Sequence, residues 1–472
     1  MVTRREFLKT SLLTSVGLAM GGLSSLNARS YANVRGANRK VAVAFIGIGN
    51  RGEQLIQDFE KTGMIQVVGL CDVDLGAPHT QAALAKYPDA ARFQDFRQMF
   101  DRIGNRIEAV IVAVPDHSHF PICMEAMALG KHVYVEKPMA RTFLEAELMM
   151  QAARKYPKVV TQVGNQGHSE ANYFQFKAWK EAGIIRDITA VTAHMNNPRR
   201  WHGWDPNIQQ PPSAQPIPQT LDWMTWLSAR PYHDYNELYH YGEWRSWFDF
   251  GMGALGDWGA HILDTVHEFL ELGLPTVIDP IKLTGHNDYF FPKNSTIRFH
   301  FPERGSMPAV DVTWYDGQDN LPPIPEGYGK SELDPNIPTS GAGEINPSQL
   351  NPGKIIYGKN ITFKGASHGS TLSIIPSKKA ADMASQLPDV PPSPSNHFAN
   401  FLLACQGLEE TRSPFEIHGP LSQVFALGVI AQRRGTKLLF DRTTKRITND
   451  AFADALLAGE PPRKGWESYY KL

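Results

Sequence analysis

Apolar runs alternate with amphipathic stretches from residue 41 to about residue 165. "VAVAFI" (41–46) is apolar without a break, as a strand buried on both faces of a parallel sheet requires. "MIQVVGLCDVD" repeats the pattern. "EAVIVAVP" (108–115), "HVYVEKP" and "VVTQVGNQ" follow as further strands. The intervening "GEQLIQDFEK", "TQAALAKY", "SHFPICMEAMALG" and "TFLEAELMMQAARKY" read as helices, the third closing at Gly130 as a C-cap. Strands alternating with helices predict a right-handed, doubly wound parallel α/β sheet. Ligands of such sheets bind beyond the C-terminal strand ends. Gly47–Gly52, Asp72, Pro115–His119, Glu136–Pro138 and Gly164–His168 are therefore expected around one crevice.

After about Asp187 the alternation stops. "ITAVTAHM", "STIRFHF" and "PAVDVTWYDG" read as amphipathic strands, which by themselves indicate only an α+β region. Residues 316–353 are rich in Pro, Gly and Asn with little periodicity and read as a long loop or flap. "SNHFANFLLACQGLE" and "PLSQVFALGVIAQRRG" read as helices that pack back on the first domain. The division expected is a leader over 1–32, a dinucleotide-binding domain over 40–165, a second domain over 166–440 and a tail over 441–472.

Composition narrows the class. The chain has 472 residues, a formal net charge of −1 and no long basic run, so nucleic acid and anionic membrane surfaces are poor partners. Cys71, Cys123 and Cys405 are too few and too scattered for a disulfide framework or a zinc site. Thr3 to Lys9, "TRREFLK", resembles a twin-arginine export signal, which implies a periplasmic or otherwise exported protein. The apolar stretch behind it is broken by Gly17, Gly21 and Gly22, so it makes a poor spanning helix and no span is expected in the mature form. Cleavage is expected after Ala32 or Ala28, and the mature fold near Lys40. That route carries folded proteins, so a cofactor loaded in the cytoplasm leaves inside the protein.

The first candidate chemistry follows "VAVAFI". Gly47, Gly49 and Gly52 form G-x-G-x-x-G between a strand and a helix, with Asn50 and Arg51 in the turn. The spacing suits a tight turn, close approach to a pyrophosphate and close helix packing. Asp72 lies twenty residues beyond Gly52, where a carboxylate accepts hydrogen bonds from the ribose 2′-hydroxyl and repels a 2′-phosphate. NAD is favoured over NADP, although Arg51 works against that preference. Pro115, His119, Glu136, Lys137 and Gln166 complete the expected cofactor contacts. Lys137, at a strand end before Pro138, can polarise a substrate oxygen, and partial burial would lower its pKa. In "GALGDWGAHILDTVHEFLEL", Asp257 and His261 are one helical turn apart. Histidine is the natural base near neutral pH, and the aspartate can orient it. His261, Asp264 and Glu268 also share a helical face, but no second cluster supports a metal, and none is expected.

Seven of the ten tryptophans lie between Trp201 and Trp258, interleaved with histidine, tyrosine and arginine. Aromatic faces beside polar groups suit a polyol. "LDWMTWL" and "EWRSWF" equally read as amphipathic helices with core tryptophans. Trp201, Trp204, His240 and Arg245 are the substrate candidates.

Together the glycine turn, "VEKP" and "GALGDWGAHILD" resemble the Gfo/Idh/MocA oxidoreductases, such as glucose–fructose oxidoreductase and inositol dehydrogenase. "GNQGHS", "WRSWFDFG" and "PPRKGW" resemble its exported branch. The resemblance implies a Rossmann domain followed by an α+β domain with a large, mostly antiparallel, open-faced sheet. It places Lys137 beside the nicotinamide, with a bend, often a cis bond, at Lys137–Pro138. It assigns Asp257 and His261 to catalysis and suggests a dimer or tetramer. The function implied is hydride transfer between a sugar or polyol hydroxyl and a tightly held NAD. The alternatives are a glycoside hydrolase or lyase working through a transient 3-keto sugar, and a non-catalytic sugar-binding protein that keeps NAD as a structural part.

Overall fold

The computed structural model describes residues 39–196, 204–240, 242–329 and 350–472. Residues 1–32 and Trp201 lie outside them. Six parallel strands form the first sheet: β1 (Val41–Ile46), β2 (Ile65–Cys71), β3 (Ala91–Phe93), β4 (Ala109–Val112), β5 (His132–Val135) and β6 (Thr161–Val163). Their order is β3-β2-β1-β4-β5-β6, which reverses direction between β1 and β4. Every residue of β4 and nearly every residue of β1 is buried, so a strand covered on both faces explains the unbroken apolar runs. The sequence pattern does not mark β3, whose three residues carry too little periodicity. Helix Phe143–Lys155 starts on a capping box in which Thr142 and Glu145 satisfy each other's backbone N–H groups. Cys71 and Cys123 are buried in this core and all three thiols are free.

The second sheet has nine strands. They are β7 (Ile188–Met195), β8 (Val277–Thr284), β9 (Asn294–Phe301), β10 (Val310–Asp316), β11 (Gly353–Gly358), β12 (Thr362–Ala366), β13 (Ser373–Ile375), β14 (Leu438–Asp441) and β15 (Arg446–Ile447). The order is β13-β12-β11-β7-β10-β9-β8-β14-β15, antiparallel except where β7 runs parallel to β10. Helices Gly253–Ile262 and Phe415–Arg434 cover one face, where Leu255, Phe425 and Phe299 share one core. The alternating burial of β10 leaves Thr313 and Tyr315 on the other, more open face. "GALGDWGAHILDTVHEFLEL" divides into two helices, Gly253–Ile262 and Asp264–Phe269. Between β10 and β11 no described residue belongs to a helix or strand.

The chain does not stay in its second domain. Helix His397–Cys405 sends Phe401 and Leu402 into the core around Val41, Val43 and Phe45. Helix Phe415–Arg434 is shared: Phe415 packs with the first domain, and Leu421 to Ala431 with the second. The last thirty residues are also built in. Trp466 packs in the first core, with Arg97 lying 4.4 Å above its ring. Glu460 pairs with Arg230 at 2.5 Å. Burial by itself would raise the Glu460 pKa, but Arg230 and Arg141 outweigh it and hold the carboxylate at about 2. A depressed carboxylate stabilises the fold above its unfolded pKa and loses that contribution as pH falls toward 2. Glu460→Gln is expected to lower unfolding stability at neutral pH by about 1–3 kcal/mol, the carboxylate being one-third exposed and partly screened. Urea titrations at several pH values should show the difference from wild type shrinking through the acid range.

Candidate active site

The glycine turn leaves β1 at its C-terminal end. Gly47 has φ +81°, which a side chain would strain, and a Cβ there would lie 2.5 Å from the Ala113 carbonyl oxygen. A Cβ on Gly52 would lie 2.0 Å from the Gly47 carbonyl oxygen, so the helix Arg51–Lys61 can start only this close to the turn without one. Its N-terminus aims free N–H groups into the crevice, as a pyrophosphate requires. A Cβ on Gly49 would collide with the ring of His79, which follows β2 and was not anticipated as a site residue. Asp72 ends β2 and accepts from the N–H groups of Ile48 and Asp74, both at 3.0 Å. Burial raises its pKa despite those two bonds.

Arg51 is turned away from Asp72. Its Nε and Nη2 both lie 3.0 Å from Glu136 Oε1. With its amide oriented to satisfy both ends, Gln166 accepts from Arg51 and donates to the Gly164 carbonyl at 3.0 Å. The Arg51 guanidinium is paired with Glu136 and not with Asp72. His119 is also committed. It is buried between the carbonyls of Pro138 (2.8 Å) and Val114 (2.9 Å), and burial lowers its pKa to about 4. It fixes the strand ends that carry Pro115 and Lys137 and is not itself turned to a ligand. The Lys137–Pro138 bond is cis.

Lys137 reaches across to the second domain. Its Nζ donates to Asp257 Oδ1 at 2.7 Å and to the Asp257 carbonyl at 2.9 Å. Arg245 Nη1 lies 3.4 Å from the same Oδ1 and 3.5 Å from Asp116 Oδ1, with its guanidinium 4.3 Å above the Trp244 ring. Burial lowers the Lys137 pKa and Arg245 lowers it further, while Asp257 opposes both. This corrects one expectation. Asp257 does not orient His261, because its carboxylate faces Lys137 and Arg245 and makes no hydrogen bond to that ring. His261 is 7% exposed, and its Nδ1 has no hydrogen-bond partner. Its neighbour is His368, whose ring stacks on it with centroids 4.0 Å apart and planes 15° apart. Burial, then His368 and Lys137, push the His261 pKa well down, so the ring is neutral and able to accept a proton.

The substrate candidates divide. Arg245 joins the Lys137 cluster. His240 is buried near Trp226 and Tyr235, and its charged neighbours are Asp74 and His79; burial lowers its pKa to about 4. Its ionisable neighbours lie in the segment that follows β2. Trp204 stacks on Trp247 at 4.8 Å and meets Phe290 edge-on, a packing role. Trp223, Trp226, Trp244 and Trp247 form a core of their own. That core is tied to the exit of β2. Asp222 N–H donates to the Val73 carbonyl at 2.8 Å, and the Gln94 amide bridges the Val73 and Thr220 carbonyls. The tryptophan-rich segment thus packs against the exit of β2, next to Asp72. Asp264 and Glu268 face His168, at 3.7 and 3.3 Å, and not His261. His79 and His368 are neighbours of the site that sequence reasoning missed, and Asp116 lies in the expected span Pro115–His119 but was given no role. Its place beside a strand end was the available signal for Asp116; nothing local marks His368.

A dinucleotide-binding sheet facing a large antiparallel sheet, with a lysine and a histidine between them, defines a two-domain nicotinamide-type scaffold. Residues 41–164 match the NAD-binding Rossmann fold of the Gfo/Idh/MocA oxidoreductase family, and residues 187–280 match its C-terminal α/β domain. The chain belongs to this family. Inositol 2-dehydrogenase of Salmonella typhimurium is 29% identical over 196 residues, covering 40% of this chain and 54% of that protein. A glycosyl hydrolase family 109 protein from Shewanella sp. (strain MR-4) is 29% identical over 158 residues, covering 30% and 35%. The chain thus spans about half the length of the inositol 2-dehydrogenases it matches. The WlbA dehydrogenase from Bordetella pertussis, solved with NADH and UDP-GlcNAcA, shares the fold with a TM-score of 0.54 at 15% identity, over 85% of this chain and 99% of that one. Aldose–aldose oxidoreductase from Caulobacter crescentus, complexed with glycerol, aligns with a TM-score of 0.51 at 16% identity, over 85% and 100%.

The glycine cradle fits the dinucleotide. Gly47→Ala is expected to weaken NADH binding by about tenfold or more, through backbone strain and collision with Ala113, while far-UV circular dichroism is retained. Fluorescence titration with NADH checks this; an unchanged affinity would mean that the dinucleotide does not lie on this turn.

Proposed function

We propose that the protein is an NAD-dependent oxidoreductase that converts a secondary hydroxyl of a sugar or polyol to a carbonyl, and back. The observation that carries the reading is a neutral, buried His261 on the helix whose Asp257 grips Lys137 at the mouth of the dinucleotide crevice. Bound NAD supplies the two-electron acceptor for the hydride that leaves the carbinol carbon. His261 takes the hydroxyl proton as the carbonyl forms and returns it in the reverse direction. The Lys137 ammonium, fixed by two oxygens of Asp257, donates a hydrogen bond to the oxygen where charge develops. Arg245, 3.4 Å from the same Asp257 carboxylate, supplies further N–H donors for substrate hydroxyls. The closure of the tryptophan segment over the loop after β2 favours a cofactor that stays bound between turnovers. Residues 3–9 support export of the loaded protein. The compound that resets the cofactor is then a second sugar in its carbonyl form, which takes back the hydride and a proton and leaves as the alcohol.

A second reading has its own support in the family 109 relatives, whose name assigns them to glycosyl hydrolases. Here the same oxidation at C3 of a glycoside acidifies the C2–H; loss of that proton expels the aglycone from C1, water adds across the double bond formed, and the held hydride returns to the C3 carbonyl. The presence of both Asp257 and His261 favours plain alcohol–carbonyl exchange. A non-catalytic sugar-binding role leaves the buried lysine and neutral histidine without a task.

The test uses protein purified with its own cofactor and a panel of free sugars, polyols and methyl glycosides, read at the reduced-nicotinamide absorbance band. Wild type should reduce its bound cofactor with one class and reoxidise with another. His261→Ala should lose about 10²- to 10⁴-fold in rate with bound NAD retained. Full activity in the alanine variant removes His261 as the base. Release of the aglycone from methyl glycosides moves the assignment to the lyase reading.

A further inference from the structure

In a carboxylate–histidine pair, a hydrogen bond to one ring nitrogen sets the orientation of the base. That device is missing here, because Asp257 is committed to Lys137 and Nδ1 of His261 has no partner. A buried ring with an unbonded nitrogen needs some other restraint if it is to face a substrate hydroxyl in one orientation.

The restraint comes from a turn more than a hundred residues away. Ser367–Ser370 follows β12 and closes with Ser370 N–H donating to the Ser367 carbonyl at 3.2 Å. His368 sits at φ +50°, a conformation that a non-glycine residue holds only where its surroundings enforce it. Three neighbours enforce it. The His368 N–H donates to the His261 carbonyl at 3.0 Å. The Ser367 hydroxyl lies 2.9 Å from His368 Nδ1. Gly369 packs against the Glu170 carboxylate so closely that a Cβ would overlap it. Held in this way, the His368 ring lies flat on His261, and Trp258 closes its edge at 5.5 Å. One turn therefore grips both the backbone and the ring of the same histidine.

We propose that His368 is the positioning residue for the base: it fixes the His261 imidazole by face-to-face stacking, the task a carboxylate performs elsewhere. This deepens the proposed function and rests on it for the role of His261. The groups facing His261 are Lys137 and Arg51 from the first domain, Asp257 from its own helix and His368 from the turn. Three of the four are cationic or can become so. Of these His368 is in direct ring contact, and two parallel imidazoles at 4.0 Å disfavour a second positive charge. His261 thus stays unprotonated where an isolated histidine would titrate.

Two variants separate the ring from its charge. His368→Phe keeps a flat aromatic face over His261 and removes the ionisable nitrogens. His368→Ala removes both. The NAD-loaded protein is studied by ¹H–¹⁵N correlation spectra of ring-labelled histidine over an acid-to-neutral pH series, with His261→Asn giving the assignment. Wild-type His261 should remain neutral below the ordinary histidine range, in a single tautomer. In the alanine variant its resonances should broaden or split and begin to titrate at higher pH. In the phenylalanine variant they should stay sharp, with a smaller upward move. In the sugar-dependent reduction of bound NAD, the alanine variant should lose about tenfold in kcat at the high-pH plateau with KM unchanged, and the phenylalanine variant about twofold or less. An alanine variant with wild-type His261 titration and tautomer overturns the proposal. The spectra do not depend on turnover. If His261→Ala proves fully active while His261 still responds to position 368, the stacking survives and only the assignment of the base fails.

Discussion

The contact on which the site depends is the ion pair between Lys137 and Asp257. Lys137 follows β5 in the first domain and Asp257 lies on helix Gly253–Ile262 in the second, yet their charged atoms are 2.7 Å apart. Both side chains are nearly out of solvent, 13% and 5% exposed. Charges at that depth are costly unless each is matched and hydrogen-bonded. Here the lysine finds two oxygens of one residue, and the carboxylate is shared with Arg245. The pair therefore fixes how the helix stands against the dinucleotide crevice. His261, one turn further along the same helix, is placed with it.

The surrounding packing protects this arrangement. Helix Gly253–Ile262 is buried along its whole length, against Phe425 of the long C-terminal helix and the inner face of the nine-stranded sheet. The C-terminal residues return to the first domain through Trp466 and bind the tryptophan-rich segment through Arg463. The two domains are thus joined on the side of the ion pair and again at the periphery. A hinge opening between them would have to break buried charge pairs and apolar contacts together.

What could be read from the residues followed the range of the forces involved. The glycine turn, Asp72 and the strand–helix alternation are local signals, each set by backbone sterics and burial within about twenty residues. They located the dinucleotide domain and its crevice. The D-x-x-x-H spacing placed Asp257 and His261 on one helical face, and both side chains do line the site. It misassigned their relation, because spacing along a helix says nothing about a lysine arriving from another domain with a stronger claim on the carboxylate. The tryptophans misled for a similar reason. Their polar and aromatic company suits a sugar, but Trp223, Trp226, Trp244 and Trp247 pack on one another and His240 is drawn to Asp74. Composition cannot tell an aromatic core from an aromatic cleft.

The sequence by itself determined the class of fold, the dinucleotide turn, the preference for a ribose hydroxyl at Asp72, and the identity of the lysine and the histidine. These depend on short-range periodicity and on residue types with one dominant chemical use. Only the tertiary structure decided which groups pair. It turned Arg51 onto Glu136, gave Asp257 to Lys137, and brought His368 onto His261 across more than a hundred residues. Pairing among buried charges and rings is settled by competition for desolvated partners, and that competition exists only once the chain has closed on itself.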